Sequence, residues 1–358
     1  MKFSKNLGTP EQCACAKQVL CNIKEKTIFQ LVISQTQSGK TGMMVSIAKQ
    51  CNQNVIVMTG LSSSDWKRQT ISRFPNNVPV YHRNDLKNLK SLKNCVVLID
   101  EVQYGTGIGM TLDNMMERCG IKDLEMLAYY NVFFVCVSAT PNKIFNDILL
   151  LSEKIKCKVL SMETGKKYFG LKDYVEKGRI FDALCLKSEE NVKKLKEFVE
   201  NNYKENVYVV IRTPSALEGE NVRELVKAEF GEHYDYITCD MTTKKNAMTV
   251  LTKKPIKTTI VFIKEQLRCA ATLCKTYLGV LYERVSKMDN VMVQGLAGRG
   301  TGYDVPDRLV VFTNMKCIMR YIEDFENIKN SGNMTMLHPN SFNEMSVSSV
   351  DDSDLESI

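Results

Sequence analysis

The chain has 358 residues, 44% of them apolar and 25% charged, with a formal net charge of +7. These proportions exclude collagen-like, wholly disordered and disulfide-stapled miniprotein classes, and the length suits two domains. No apolar run reaches the ~20 residues of a membrane helix and Met1–Pro10 lacks the apolar centre of a secretory leader, so no membrane partner is expected.

In chain order, short β-branched runs alternate with helical patterns. The first runs are Ile28–Ser34, Asn54–Thr59, Cys95–Ile99 and Phe133–Ser138, separated by helical patterns at Thr41–Cys51, Ser64–Phe74 and Thr111–Ala128. Such alternation predicts an α/β unit with a parallel sheet covered on both faces, assigned to residues 1–150. A region from about 142 to 204 follows, with 151–204 assigned as a linker or insert. It holds a charged helix, Ser188–Tyr203, in which Val192, Leu195, Phe198 and Val199 share one face. Alternation restarts with Val207–Ile211, Tyr234–Cys239, Thr258–Ile263, Gly279–Tyr282 and Leu309–Thr313, with helices expected at Glu218–Phe230 and Cys269–Thr276. This second unit is assigned to 205–330.

The stretch 331–358 is polar and has five acids, Glu344, Asp351, Asp352, Asp354 and Glu356, with no Lys or Arg. It reads as a disordered acidic tail. The rest of the chain is correspondingly more basic than the whole, which suits a polyanionic partner. Insert and tail are the places where a protein partner would be expected.

Thirteen cysteines include Cys95, Cys136 and Cys239 inside strand-like runs. Buried free thiols in a reducing, intracellular compartment are the simplest reading. Neither Cys13, Cys15 and Cys21 nor Cys269 and Cys274 have CxxC spacing, and no structural zinc is expected.

Three motifs carry chemistry. Ser34-Gln35-Thr36-Gln37-Ser38-Gly39-Lys40-Thr41 lies between a strand run and a helical pattern, the context of a phosphate-binding loop. Backbone N–H groups of Gln37, Ser38 and Gly39 would curl around phosphates at a helix N-terminus. Lys40 would reach the β- and γ-phosphates, and Thr41 would ligate Mg²⁺. Ser34 stands where GxxxxGKT has its first glycine. The run Cys95–Ile99 then ends in Asp100-Glu101, followed by Val102-Gln103. Asp100 can hold Mg²⁺ and Glu101 can polarise a water. Third, Ser138-Ala139-Thr140-Pro141 follows another strand run.

Loop, DExQ and SAT in this order resemble the first motor domain of superfamily-2 helicases. The resemblance implies two tandem RecA-like domains, ATP and Mg²⁺ as cofactors, and DNA or RNA as partner. Val291-Met292-Val293-Gln294-Gly295-Leu296-Ala297-Gly298-Arg299-Gly300-Thr301-Gly302-Tyr303 resembles the family's motif VI, in the form found in helicase-like proteins of large viruses and phages. It implies that Gln294 and Arg299 act on the γ-phosphate. Gln294 is one residue further from Gly298 than usual, and Gly302 occupies the place of the second arginine. By the same resemblance Gln12, after Thr9-Pro10, would read adenine. Thr59 and Ser62 would lie in motif Ia, Arg212-Thr213 in motif IV, and Arg268 and Thr272 in motif V. With Ser138 and Thr140 these are the expected nucleic-acid and coupling residues. The single tryptophan, Trp66, is expected to pack rather than stack on a base. Two other readings stay open from sequence: a packaging-motor-type ATPase, which would pair these motifs with a nuclease domain, and a non-enzymatic binding protein on a helicase fold.

Overall fold

The computed structural model describes residues 8–59, 64–89, 91–101, 111–123, 125–140, 155–214, 216–240, 243, 245–264, 266–267, 272–284 and 292–331. The chain divides into two compact units: one runs to Lys166 and takes in the stretch from Phe325, and the other spans Lys167–Asp324.

The first unit is built on a six-stranded parallel sheet. Its strands are β1 (Phe29–Ile33), β2 (Asn54–Thr59), β3 (Val80–Tyr81), β4 (Cys95–Asp100), β5 (Val132–Ser138) and β6 (Cys157–Ser161), ordered β3-β2-β4-β5-β1-β6. β1, β4 and β5 are buried at every position, Cys95 and Cys136 included. That is what helix-covered parallel strands require, and why each reads as an unbroken apolar run. The helices are α1 (Pro10–Lys24), α2 (Lys40–Gln50), α3 (Ser64–Ile71), α4 (Thr111–Arg118) and α5 (Glu125–Tyr129).

Helix α1 was not anticipated. Thr9 caps it, Pro10 opens its first turn, and the Gln12 side chain returns to the Thr9 N–H at 3.0 Å, completing a capping box. The buried Gln30 of β1 anchors it: Asn22 Nδ2 donates to Gln30 Oε1 at 2.9 Å, and Gln30 Nε2 donates to the Val19 carbonyl at 3.1 Å. The single helix expected at Thr111–Ala128 is two. Gly120, at φ +71°, ends α4, with the Ile121 N–H returning to the Met116 carbonyl at 2.9 Å. That glycine-terminated turn stops a helix whatever the downstream periodicity.

The second unit repeats the plan with β7 (Ile180–Asp182), β8 (Tyr208–Arg212), β9 (Asp235–Cys239), β10 (Thr259–Ile263), β11 (Leu278–Tyr282) and β12 (Val310–Thr313), ordered β7-β12-β11-β8-β10-β9 and all parallel. Its helices are α6 (Leu171–Glu176), α7 (Glu189–Asn202), α8 (Ala216–Phe230) and α9 (Ala247–Val250); a last helix, α10 (Met315–Ser331), begins in this unit and from Phe325 counts with the first. The amphipathic face expected on α7 is real: Val192, Leu195 and Val199 are buried in the core, and Phe198 packs against it. No helix forms over 272–275; this stretch of the expected Cys269–Thr276 helix is irregular and leads into β11.

Within the stretch 151–204, β6 pairs with β1, while β7 and α7 build the second unit. Of the acidic tail expected at 331–358, Ser331 closes α10 and the rest lies outside the described residues.

Candidate functional site

The strand register gathers the first unit's motifs at one sheet edge. Thr59 pairs with Asp100, Asp100 with Val137, and Ile33 with Ser138. The carboxyl ends of β1, β2, β4 and β5 therefore align, and in open α/β sheets that edge is where ligands bind.

The loop from Ser34 joins β1 to α2. Gln37 and Gly39 adopt positive φ, +56° and +97°, and α2 starts at Lys40 with no side-chain cap on its first turn. An uncapped helix start leaves backbone N–H groups for an anion. The Ser34 and Ser38 hydroxyls are buried and have no hydrogen-bond partner. Gln12 lies directly over this loop. A Cβ on Gly39 would stand 2.1 Å from Gln12 Nε2, and one on Gly42 2.4 Å from Gln12 Oε1. The Gln12 amide thus fills the space beside both glycines, and Gln12 combines a capping role with a place beside the loop. Thr41 is partly exposed on the first turn of α2.

Lys40 Nζ and Glu101 Oε1 are 3.2 Å apart, with side chains 12% and 4% exposed. Glu101 holds φ +52°, an uncommon backbone state for a non-glycine residue and one that recurs at functional sites. Asp100 is buried beside them. Trp66 Nε1 donates to Asp100 Oδ2 at 2.9 Å, while Oδ1 has no partner. Burial, then the Glu101 charge, push the Asp100 pKa up; Lys40 and the indole hydrogen bond oppose them. A buried carboxylate oxygen with no donor fits a divalent cation, and so does the oxygen chemistry of Thr41 and Asp100. Among the described residues no three His, Cys, Asp or Glu side chains gather as a metal cage; a Mg²⁺ held largely by substrate phosphates needs none.

Thr59 and Ser138 are buried at the same edge. The Ser138 carbonyl accepts from the Ser34 N–H at 3.2 Å, and its Oγ accepts from the Thr140 N–H at 3.1 Å, so the SAT turn is tied to the loop's first residue. Trp66 packs, 3% exposed, as expected; its bond to Asp100 was not foreseen. Ser62 and Arg268 lie outside the described residues, as do Val102, Gln103 and Pro141.

In the second unit, Gln294 and Arg299 are both buried, and Arg299 Nε donates to the Gln294 carbonyl at 3.1 Å. Lys275, also buried, is near enough to Arg299 and Asp304 to feel both charges. Burial lowers its pKa, opposed by Asp304 and helped by Arg299. Arg212 is not a surface cation. It is 5% exposed, its Nε is 2.6 Å from the wholly buried Glu283 Oε1, and its other nitrogens donate to the Gln266 and Leu267 carbonyls at 2.9 and 3.3 Å. These contacts tie its guanidinium within the second unit. Thr213 is buried, with Oγ1 donating to the Ile263 carbonyl at 3.3 Å, and Thr272 is exposed.

Two RecA-like sheets recur in solved structures. The chain superposes on Mss116p, solved with single-stranded RNA and AMP-PNP bound, at a TM-score of 0.55, covering 90% of this chain and 72% of that one at 13% identity. The two chains share the fold, a pair of RecA-like parallel sheets with flanking helices. The Escherichia coli DEAH/RHA helicase HrpB gives 0.53 at 11% identity over 87% of this chain. The ATP-dependent Type ISP restriction–modification enzyme LlaBIII, bound to DNA, gives 0.52 at 10% identity over 88%. The helicase fold here spans 44% of HrpB and 28% of LlaBIII. In sequence, the chain is 24% identical over 314 residues to an uncharacterised protein of Acanthamoeba polyphaga mimivirus, 76% of either chain being covered. No protein-family model matches it.

Proposed function

We propose that this chain is an ATP hydrolase of the helicase or translocase kind, driven on DNA or RNA by MgATP. The observation that carries the reading is the Lys40–Glu101 pair set beside the buried, half-partnered Asp100 at the carboxyl edge of a parallel sheet. Without nucleotide the two side chains neutralise each other. On nucleotide binding Lys40 turns to the β- and γ-phosphates, which frees Glu101 to accept a proton from water. Thr41 and Asp100 would hold Mg²⁺, which would supply charge neutralisation to the phosphates. The N–H groups of Gln37, Ser38 and Gly39 cradle phosphate, and Gln12 reads the base.

Arg299, with Gln294, serves as the finger for the γ-phosphate; such positive charge is worth about 10³–10⁵ in rate in related hydrolases. Ser138 and Thr140 couple the loop to nucleic acid, in whose binding Thr59, Ser62, Arg212, Thr213, Arg268 and Thr272 take part. Binding through phosphates makes it sequence-independent and salt-sensitive.

The test is ATP turnover with and without single-stranded nucleic acid. Stimulation by the strand that disappears in Glu101→Gln supports the reading. Turnover absent in the wild type under both conditions overturns it in favour of a binding protein.

A further inference from the structure

Glu283 follows β11 directly, Arg212 ends the neighbouring β8, and neither is explained by the site above. Glu283 uses both oxygens. Oε1 meets Arg212 Nε at 2.6 Å and accepts from the Arg284 N–H at 3.2 Å; Oε2 accepts from the Leu296 N–H at 2.8 Å. Leu296 lies between Gln294 and Arg299, in a turn kinked at Gly295, whose ψ is −140°. A Cβ on Gly295 would fall 2.3 Å from Glu283 Oε2, so only glycine lets the turn descend onto the carboxylate. Arg212 meanwhile grips the carbonyls of Gln266 and Leu267. One buried ion pair, at the ends of β8 and β11, thus ties together two further segments: Gln266–Leu267 after β10 and the turn at Leu296.

We propose that the Arg212–Glu283 pair is the seat that positions the Gln294–Arg299 turn, making both of them positioning residues for the arginine finger. The consequence for turnover rests on the motor reading; the seat itself does not. A buried pair is a poor source of net stability but a good source of fixed geometry, because a charge left without its partner is strongly disfavoured. It holds the turn by the Leu296 backbone N–H.

The experiment has two arms. Because Glu283→Gln strands a buried guanidinium and may not fold, it is paired with the charge-free Arg212→Met/Glu283→Leu variant, in which apolar groups replace both partners. In the first arm, hydrogen exchange should show about a tenfold loss of protection at Leu296 and its neighbours, with β8 and β11 unchanged. In the second, kcat should fall about as far as in Arg299→Ala while KM for ATP stays within a few-fold. Adding Arg299→Ala to either variant should cost nothing further, since the seat acts only through that residue. Wild-type protection at 292–300, or losses in kcat that multiply, overturns the proposal. If the wild type itself shows no turnover, the motor reading fails and the exchange arm alone decides the seat.

Discussion

Trp66 Nε1 donates to Asp100 Oδ2 at 2.9 Å, so the only tryptophan of the chain reports directly on the carboxylate proposed to hold Mg²⁺. Saturating MgATP should change the emission of this buried indole, and Lys40→Ala should abolish the change. Trp66→Phe leaves a buried carboxylate oxygen without its donor, costing about 1–3 kcal/mol of stability, measurable by urea denaturation. An emission spectrum indifferent to MgATP would separate Asp100 from the nucleotide.

Asp100 also sets a pH dependence. Its folded pKa is raised by burial and by Glu101, above the ordinary ~3.9. Between these two values the folded chain binds more protons than the unfolded one, so this residue's contribution to stability falls as pH rises through that window. Asp100→Asn removes the titration while keeping an oxygen for Trp66. Thermal melts from pH 4 to 8 should show the variant gaining on the wild type as pH rises, by about 2–4 °C for each kcal/mol recovered. A variant less stable at neutral pH contradicts this.

The Lys40–Glu101 pair predicts a split between binding and turnover. Glu101→Gln removes proton acceptance and the ion pair's charge, leaving Lys40 free for phosphate. Nucleotide affinity should stay within a few-fold, while turnover drops at least about a hundredfold. Lys40→Ala should weaken binding itself. Normal turnover in Glu101→Gln would remove Glu101 from the chemistry.

Arg299 stands without the second arginine usual in such a motif. Arg299→Ala should spare ATP affinity within a few-fold and cut turnover at least about a hundredfold, because the lost contact belongs to the transition state. Arg299→Lys should rescue little, since an ammonium lacks the planar fork. Equal kcat in all three proteins would leave the finger unassigned.

Gly42→Ala puts a Cβ where Gln12 Oε1 now sits, 2.4 Å away. The variant should lose stability, and Gln12→Ala in the same chain should restore part of it by vacating the space, although Gln12→Ala alone loses a capping box worth about 1 kcal/mol. Melting temperatures of the two single variants and the double close the cycle; strict additivity would show that the two groups do not meet.

Strands β1, β2, β4 and β5 of the first sheet, β8 to β12 of the second, and the order of loop, acids and SAT turn were legible in the sequence. Central parallel strands are buried on both faces, so each announces itself as an apolar run regardless of its neighbours. The loop is equally local: Gly39 holds positive φ and Lys40 opens α2 within the turn they occupy. The failures have local causes as well. Helix α1 hid behind a reading of Gln12 as a ligand contact, Gly120 cut one expected helix in two, and the missed strands β3, β6 and β7 are edge strands of two, five and three residues. What only the tertiary structure decided are pairings between side chains far apart in the chain: Trp66 on Asp100, Gln12 over Gly39, and Arg212 turned inward onto Glu283. Those depend on which strands become neighbours and in what register. That is settled by packing over the whole sheet, and no local pattern around any one of these residues encodes it.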